Sequence, residues 1–155
     1  MKRTILFFAI SCLMSSIAFA QSNPEIVHFK KMTKEHYDQK EKDYPHFDIV
    51  EFPTIKDQDE KFKVMDTEWH NLWNNFLDYC HSKNLYPKKK QVVDLCLYFN
   101  GNGHLDHFAH HFKRDSEYSE LFVKYFDEYM EKHEFGVKPG VKFSQCGRLE
   151  ILPKK

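Results

Sequence analysis

The chain has 155 residues, with 23 Lys and Arg, 23 Asp and Glu, 10 His and 4 Cys, and a formal net charge of zero. This balance carries no electrostatic footprint for nucleic acid, and CxxC zinc pairs and Gly-rich phosphate loops are absent from the sequence.

The first residues read as an export signal. Lys2 and Arg3 form a basic start, residues 5–10 and 12–14 are apolar, and Ala18-Phe19-Ala20 fits a small-x-small cleavage site before Gln21. The apolar stretch is too short to span a bilayer as a helix. A lipoprotein cleavage before Cys12 would leave a very short apolar region, so cleavage after Ala20 is expected. The mature protein then keeps 135 residues, 21 of them basic and 23 acidic, with no transmembrane anchor. That length suits one domain with its own core. The expected location is periplasmic or secreted. Of the four cysteines, Cys80, Cys96 and Cys146 survive cleavage into an oxidising compartment, where at least one disulfide is plausible and one thiol is left over.

Residues 21–65 read as a charged N-terminal extension. The spacing predicts a short helix from Thr33 to Lys42 with Thr33 as its cap, and a short strand over Phe47 to Phe52 with Phe47 and Ile49 on one face. Asp57 to Lys63 reads as a charged connector. Glu68 to Lys83 is a helix, because Trp69, Leu72, Trp73, Phe76, Leu77 and Cys80 recur at steps of three and four, with Thr67 as the cap. This stripe is expected to pack in the core.

Residues 66–155 then read as an α+β domain. Gln91 to Phe99 alternates, with Val93, Leu95, Leu97 and Phe99 on one face and Cys96 and Tyr98 on the other. Asn100-Gly101 signals a hairpin turn. His104 to Phe112 returns with a mixed phase, which predicts a bulge or a partly buried second face. Tyr118, Leu121, Phe122, Tyr125, Phe126, Tyr129 and Met130 predict a helix over Ser116 to Glu134, capped by Asp115 or Ser116, with Gly136 in a left-handed position after it. Val141 to Ile151 closes as a strand. The expectation is a three-stranded antiparallel sheet packed against two helices.

Catalytic chemistry finds little support. His107 with His111, or His104 with Asp106 and His110, could converge on a strand face, but a zinc site needs three or four ligands in fixed geometry. A solvated histidine-rich hairpin is the simpler reading. Cys80 lies on an apolar helix face, unsuited to a nucleophile that must be an exposed thiolate. The protein is expected to be no enzyme and to use no metal or cofactor.

Asn84-Leu85-Tyr86-Pro87, a strand, Asn100-Gly101-Asn102-Gly103, a second strand, a helix, Pro139-Gly140 and a closing strand together resemble the TonB C-terminal domain family over about residues 66–151. The family's tryptophan before the Pro is absent, with Phe135 the nearest aromatic. The chain also has neither an uncleaved membrane helix nor a long Pro-rich spacer, so coupling to an inner-membrane motor is not implied. The resemblance implies the fold and a mode of action: binding a protein or peptide partner in the cell envelope by pairing it to a sheet edge. The residues it puts forward for this are Ser144, Gln145, Arg148 and Glu150. It also implies that the closing strand pairs beside the first strand. Cys96 and Cys146 would then share one face and could form a disulfide, leaving Cys80 a buried thiol; three free cysteines is the competing expectation. The expected function is an exported, non-enzymatic interaction module. The alternative is a periplasmic immunity or inhibitor protein that neutralises a toxic enzyme.

Overall fold

The computed structural model describes residues 24–113 and 116–154. The expected export signal lies outside the described residues, and so does Asp115, one of the two expected caps. In chain order the elements are β1 (Glu25–His28), α1 (Lys34–Asp43), α2 (Gln58–Ser82), β2 (Gln91–Phe99), β3 (Leu105–Phe112), α3 (Glu117–Met130) and β4 (Phe143–Ile151).

The sheet has four strands, not three, in the order β1-β3-β2-β4. β2 is central and runs antiparallel to β3 and β4. β1 pairs with β3 in parallel, from Glu25 opposite His107 to His28 opposite His110. Four residues are too few for alternation to declare a strand, and Glu25-Ile26-Val27-His28 sits in a charged segment, so β1 had no local signature.

The alternation of β2 decides the layers. Val93, Leu95, Leu97 and Phe99 face α2 and α3 and are buried. Cys96 and Tyr98 face the other side, where Tyr44, Ala109, Phe29 and Met32 close a smaller apolar cluster. Both faces of the central strand are therefore covered. The predicted mixed phase of β3 has both expected causes. The register slips between Tyr98 and Phe99, and Ala109 is buried on the second face while Phe108 and Phe112 are buried on the first.

Aromatic side chains dominate the main core. Phe76 meets Phe122 edge to face at 4.9 Å, and Trp73 stacks on Phe126 at 5.1 Å. Such pairs add to the burial energy of large rings, about 1.5–3 kcal/mol for each buried side chain. Phe135 is buried and stacks on Phe99 at 4.7 Å.

Several local expectations change. α1 starts as read, with the Thr33 hydroxyl accepting from the His36 N–H at 3.2 Å. α2 begins ten residues earlier than the apolar stripe suggested, at Gln58. Asp57 caps it, accepting from the Glu60 N–H at 2.8 Å, and Asp59 and Glu60 favour its positive end. The supposed connector is helix because Lys61 buries its stem and sends its ammonium to the Asp48 and Val50 carbonyls at 2.6 and 3.2 Å. Thr67 is an interior residue that donates to the Lys63 carbonyl at 2.8 Å.

Residues 47–52 form turns, not a strand. Phe47 is buried but Ile49 is 74 % exposed, so the two do not share a buried face. The hairpin turn is longer than Asn100-Gly101 alone. The Asn100 carboxamide oxygen accepts from the Asn102 and His104 N–H groups at 2.8 and 3.2 Å, and Gly103 carries the positive φ of 83°. A Cβ there would lie 2.3 Å from the Phe135 carbonyl oxygen, so only glycine fits. α3 ends at Met130 and Gly136 lacks the left-handed φ expected of it. Ser116 caps α3 in a reciprocal box with Ser119.

Candidate functional site

β4 is an edge strand. Its inner side bonds β2 along the register from Phe99 opposite Phe143 to Gln91 opposite Ile151. Among the described residues, backbone bonds use its outer side only at the start. There the Ser144 N–H donates to the Pro45 carbonyl at 2.9 Å, and the Phe47 N–H donates to the Ser144 carbonyl at 3.0 Å. Backbone groups alternate sides along a strand, so Cys146, Arg148 and Glu150 present theirs to the same outer side as Ser144. The Cys146 carbonyl receives a long 3.4 Å contact from the Gln145 side-chain amide.

α2 runs alongside this edge. Phe62 packs on Phe47 at 5.2 Å near the start of β4, Trp69 lies against Gly147 in the middle, and Leu77 and His81 share a depression with residues 150–154 at the end. Phe62 to Leu77 as helix and Ser144 to Ile151 as strand both span roughly 22–23 Å, which keeps them in step. Phe62 is 45 % and Leu152 63 % exposed, and Trp69 and Leu77 are half-buried. An apolar row therefore flanks the open backbone.

The four residues put forward for partner contact have different positions. Ser144 is buried and its backbone groups are already bonded to residues 45 and 47. Gln145 turns its backbone to β2; its side-chain carbonyl oxygen is buried without a hydrogen-bond partner among the described residues. Arg148 and Glu150 face the second side of the sheet. The Arg148 Nε donates to Asp94 at 2.6 Å and holds that carboxyl below the usual range, while Lys90 pairs with Glu150 at 2.6 Å. Their side chains are engaged; their backbone groups face the open edge.

A disulfide joins Cys96 to Cys146, directly opposite each other across β2 and β4. Their Cα atoms are 4.0 Å apart, as in the close, non-hydrogen-bonded pairs of an antiparallel ladder. The bond staples the edge strand to the centre of the sheet. Among the described residues Cys80 is the free cysteine, and burial pushes its thiol up to about 12.

The histidines of the hairpin go to separate neighbourhoods. His104 pairs with Glu134 at 3.1 Å, and His110 and His111 lie 5.2 and 5.4 Å from the His28 ring. His107 enters a polar cluster on the second face. Its Nδ1 is 2.8 Å from Glu25, and the Lys40 ammonium is 2.9 Å from the ring nitrogens and 3.1 Å from Glu25. The Tyr44 hydroxyl donates to Asp106 at 2.8 Å and accepts from Lys142 at 3.3 Å. The His107 Nε2 is also 3.1 Å from the Tyr44 hydroxyl, so both ring nitrogens have partners, whose donor and acceptor roles depend on the tautomer. Burial and then Lys40 lower the His107 pKa. The cluster ties β1 and α1 to the sheet. Among the described residues, no group of three or more His, Cys, Asp or Glu is placed to hold a metal ion. Likewise, no described helix is long and apolar enough to cross a membrane.

No family model, no curated protein and no solved structure matches the chain.

Nothing in the sequence alone marked Trp69 or Phe62 as neighbours of the site. Their stripe reads as core, and only the path of α2 along β4 puts them at the edge.

Proposed function

We propose that the protein is an exported, non-enzymatic interaction module that takes up a peptide segment of a partner as a further strand on β4. The observation that carries this reading is the open backbone of Cys146, Arg148 and Glu150 beside the apolar row of α2. An added strand would satisfy those N–H and C=O groups. Its alternate side chains would fall on Trp69, Leu77 and Leu152, so the preferred segment has apolar residues at every second position. The other side chains would pass over the ion-paired Arg148 and Glu150 and meet little demand for charge. The resemblance to TonB C-terminal domains supports the same mode, since that family also binds peptides at a sheet edge. Export rests on the basic and apolar N-terminal stretch that ends at Ala20.

Peptides selected from a display library against the mature protein test the proposal. Bound peptide should slow amide exchange at Cys146, Arg148 and Glu150. Arg148→Pro removes one outward N–H without touching the ladder to β2, because proline is tolerated on an edge. It should abolish capture while the fold persists. Unchanged capture by this variant would sink the edge-pairing mode.

A further inference from the structure

A second feature lies between the end of α2 and the start of α3, where Tyr86 also borders the depression at the end of β4. Asn84 adopts a left-handed φ of 58° and turns the chain out of α2, with the Leu85 N–H returning to the Cys80 carbonyl at 3.0 Å. Leu85 is thereby directed inward, and the following residues rise over the first turn of α3. Between them lies a cleft of about 490 Å³. Buried Leu85 and Tyr118 and half-buried Leu121 line it with apolar surface.

The rim is charged and unbalanced. Lys88 and Lys89 line the cleft and enter no ion pair with a described residue, whereas neighbouring Lys90 is held by Glu150 at 2.6 Å. Among the described residues, Glu117 is the only carboxylate at the lining. Among the described lining residues the two ammonium groups outnumber that carboxylate, and this positive rim complements a carboxylate ligand. Gln91 adds a polar group at the wall. It is only 8 % exposed, and its hydrogen bond among the described residues is a 3.4 Å contact to the Lys89 carbonyl. A small-molecule site has this composition: mostly apolar walls with a few polar groups that fix orientation.

We propose that this cleft binds a small amphipathic carboxylate, with a medium-length apolar tail on Leu85, Tyr118 and Leu121 and its head group between Lys88 and Lys89. The proposal is independent of peptide pairing at β4.

Titration of the mature protein with octanoate, followed by calorimetry and amide chemical shifts, tests it. One saturable site is expected, with shifts centred on Leu85, Gln91, Tyr118 and Leu121. Octanol, which keeps the tail and lacks the charge, should bind at least ten-fold more weakly. The double variant Lys88→Ala, Lys89→Ala alters two exposed side chains, so it should fold normally and lose at least ten-fold in octanoate affinity. Leu121→Asp should remove binding by placing a charge on the floor. Arg148→Pro should leave octanoate binding intact, which separates this site from the β4 edge. Absence of saturation, equal binding of octanol, or no effect of the lysine variant would each overturn the proposal. So would binding of a short apolar peptide acid with none of octanoate.

Discussion

Gly147 of β4 lies against the indole of Trp69 on α2: a Cβ added at Gly147 would sit 2.9 Å from the ring carbon Cζ2. The contact brings the edge strand close against the helix. Gly147→Val must displace the ring or the strand. It should cost about 1–3 kcal/mol, the usual range for overpacking. Urea denaturation reads the change, and a midpoint at or above that of the parent would show that Trp69 swings aside freely.

The disulfide closes a loop with a sequence separation of 50. Replacing Cys96 and Cys146 together with Ser should lower stability by roughly 2–4 kcal/mol. Under denaturing, non-reducing conditions the mature protein should show one reactive thiol, Cys80. In the native protein that thiol should resist alkylation, because it is buried and its pKa is pushed up to about 12. Three thiols under denaturing conditions would contradict the pairing.

Acid should loosen the second face of the sheet. His107 has a lowered pKa in the folded protein, caused first by burial and then by Lys40. As pH falls through the ordinary histidine value of about 6.5, the unfolded chain takes up the proton first and stability declines. The decline ends below the folded pKa. Glu25 acts in the same direction, since Lys40 holds its carboxyl below the ordinary value. Its contribution is complete above about pH 4.5 and is lost as pH falls through the folded value. In a series of denaturation curves between pH 7.5 and about pH 4, His107→Gln should flatten the upper part of this dependence. An unchanged slope in the variant would remove His107 as its source.

Phe122 is fully buried and meets Phe76 and Phe112 at 4.9 and 5.3 Å. Phe122→Ala should cost about 3–5 kcal/mol, the range for removing a buried phenylalanine. A near-neutral result in chemical denaturation would mean that the α3 face packs loosely.

Elements with long, regular patterns were legible in the chain itself. β2 shows strict alternation over Gln91–Phe99, and α3 shows apolar residues at helical steps between Tyr118 and Met130. The start of α2 was not legible, because Asp57 to Lys63 is almost wholly charged. What makes it helix is a lysine whose charge reaches carbonyls of another segment, Asp48 and Val50. The candidate site was half legible. Arg148 and Glu150 stand on the open edge, but the sequence put their side chains forward where the structure leaves their backbone free.

Local periodicity by itself determined the type and approximate extent of most elements, and the buried face of β2 and α3. It also placed Cys96 and Cys146 on matching faces, since a strand alternates with period two whatever its neighbours. Only the tertiary structure decided which strands are neighbours, that Glu25–His28 joins β3 in parallel, and that the pairing of residues 45–47 stops at Ser144. These are contacts between residues far apart in the chain. Their energy depends on the loops that bring the partners together and on the surface that each contact buries. No window of sequence holds both partners of such a contact, so no window could have assigned them.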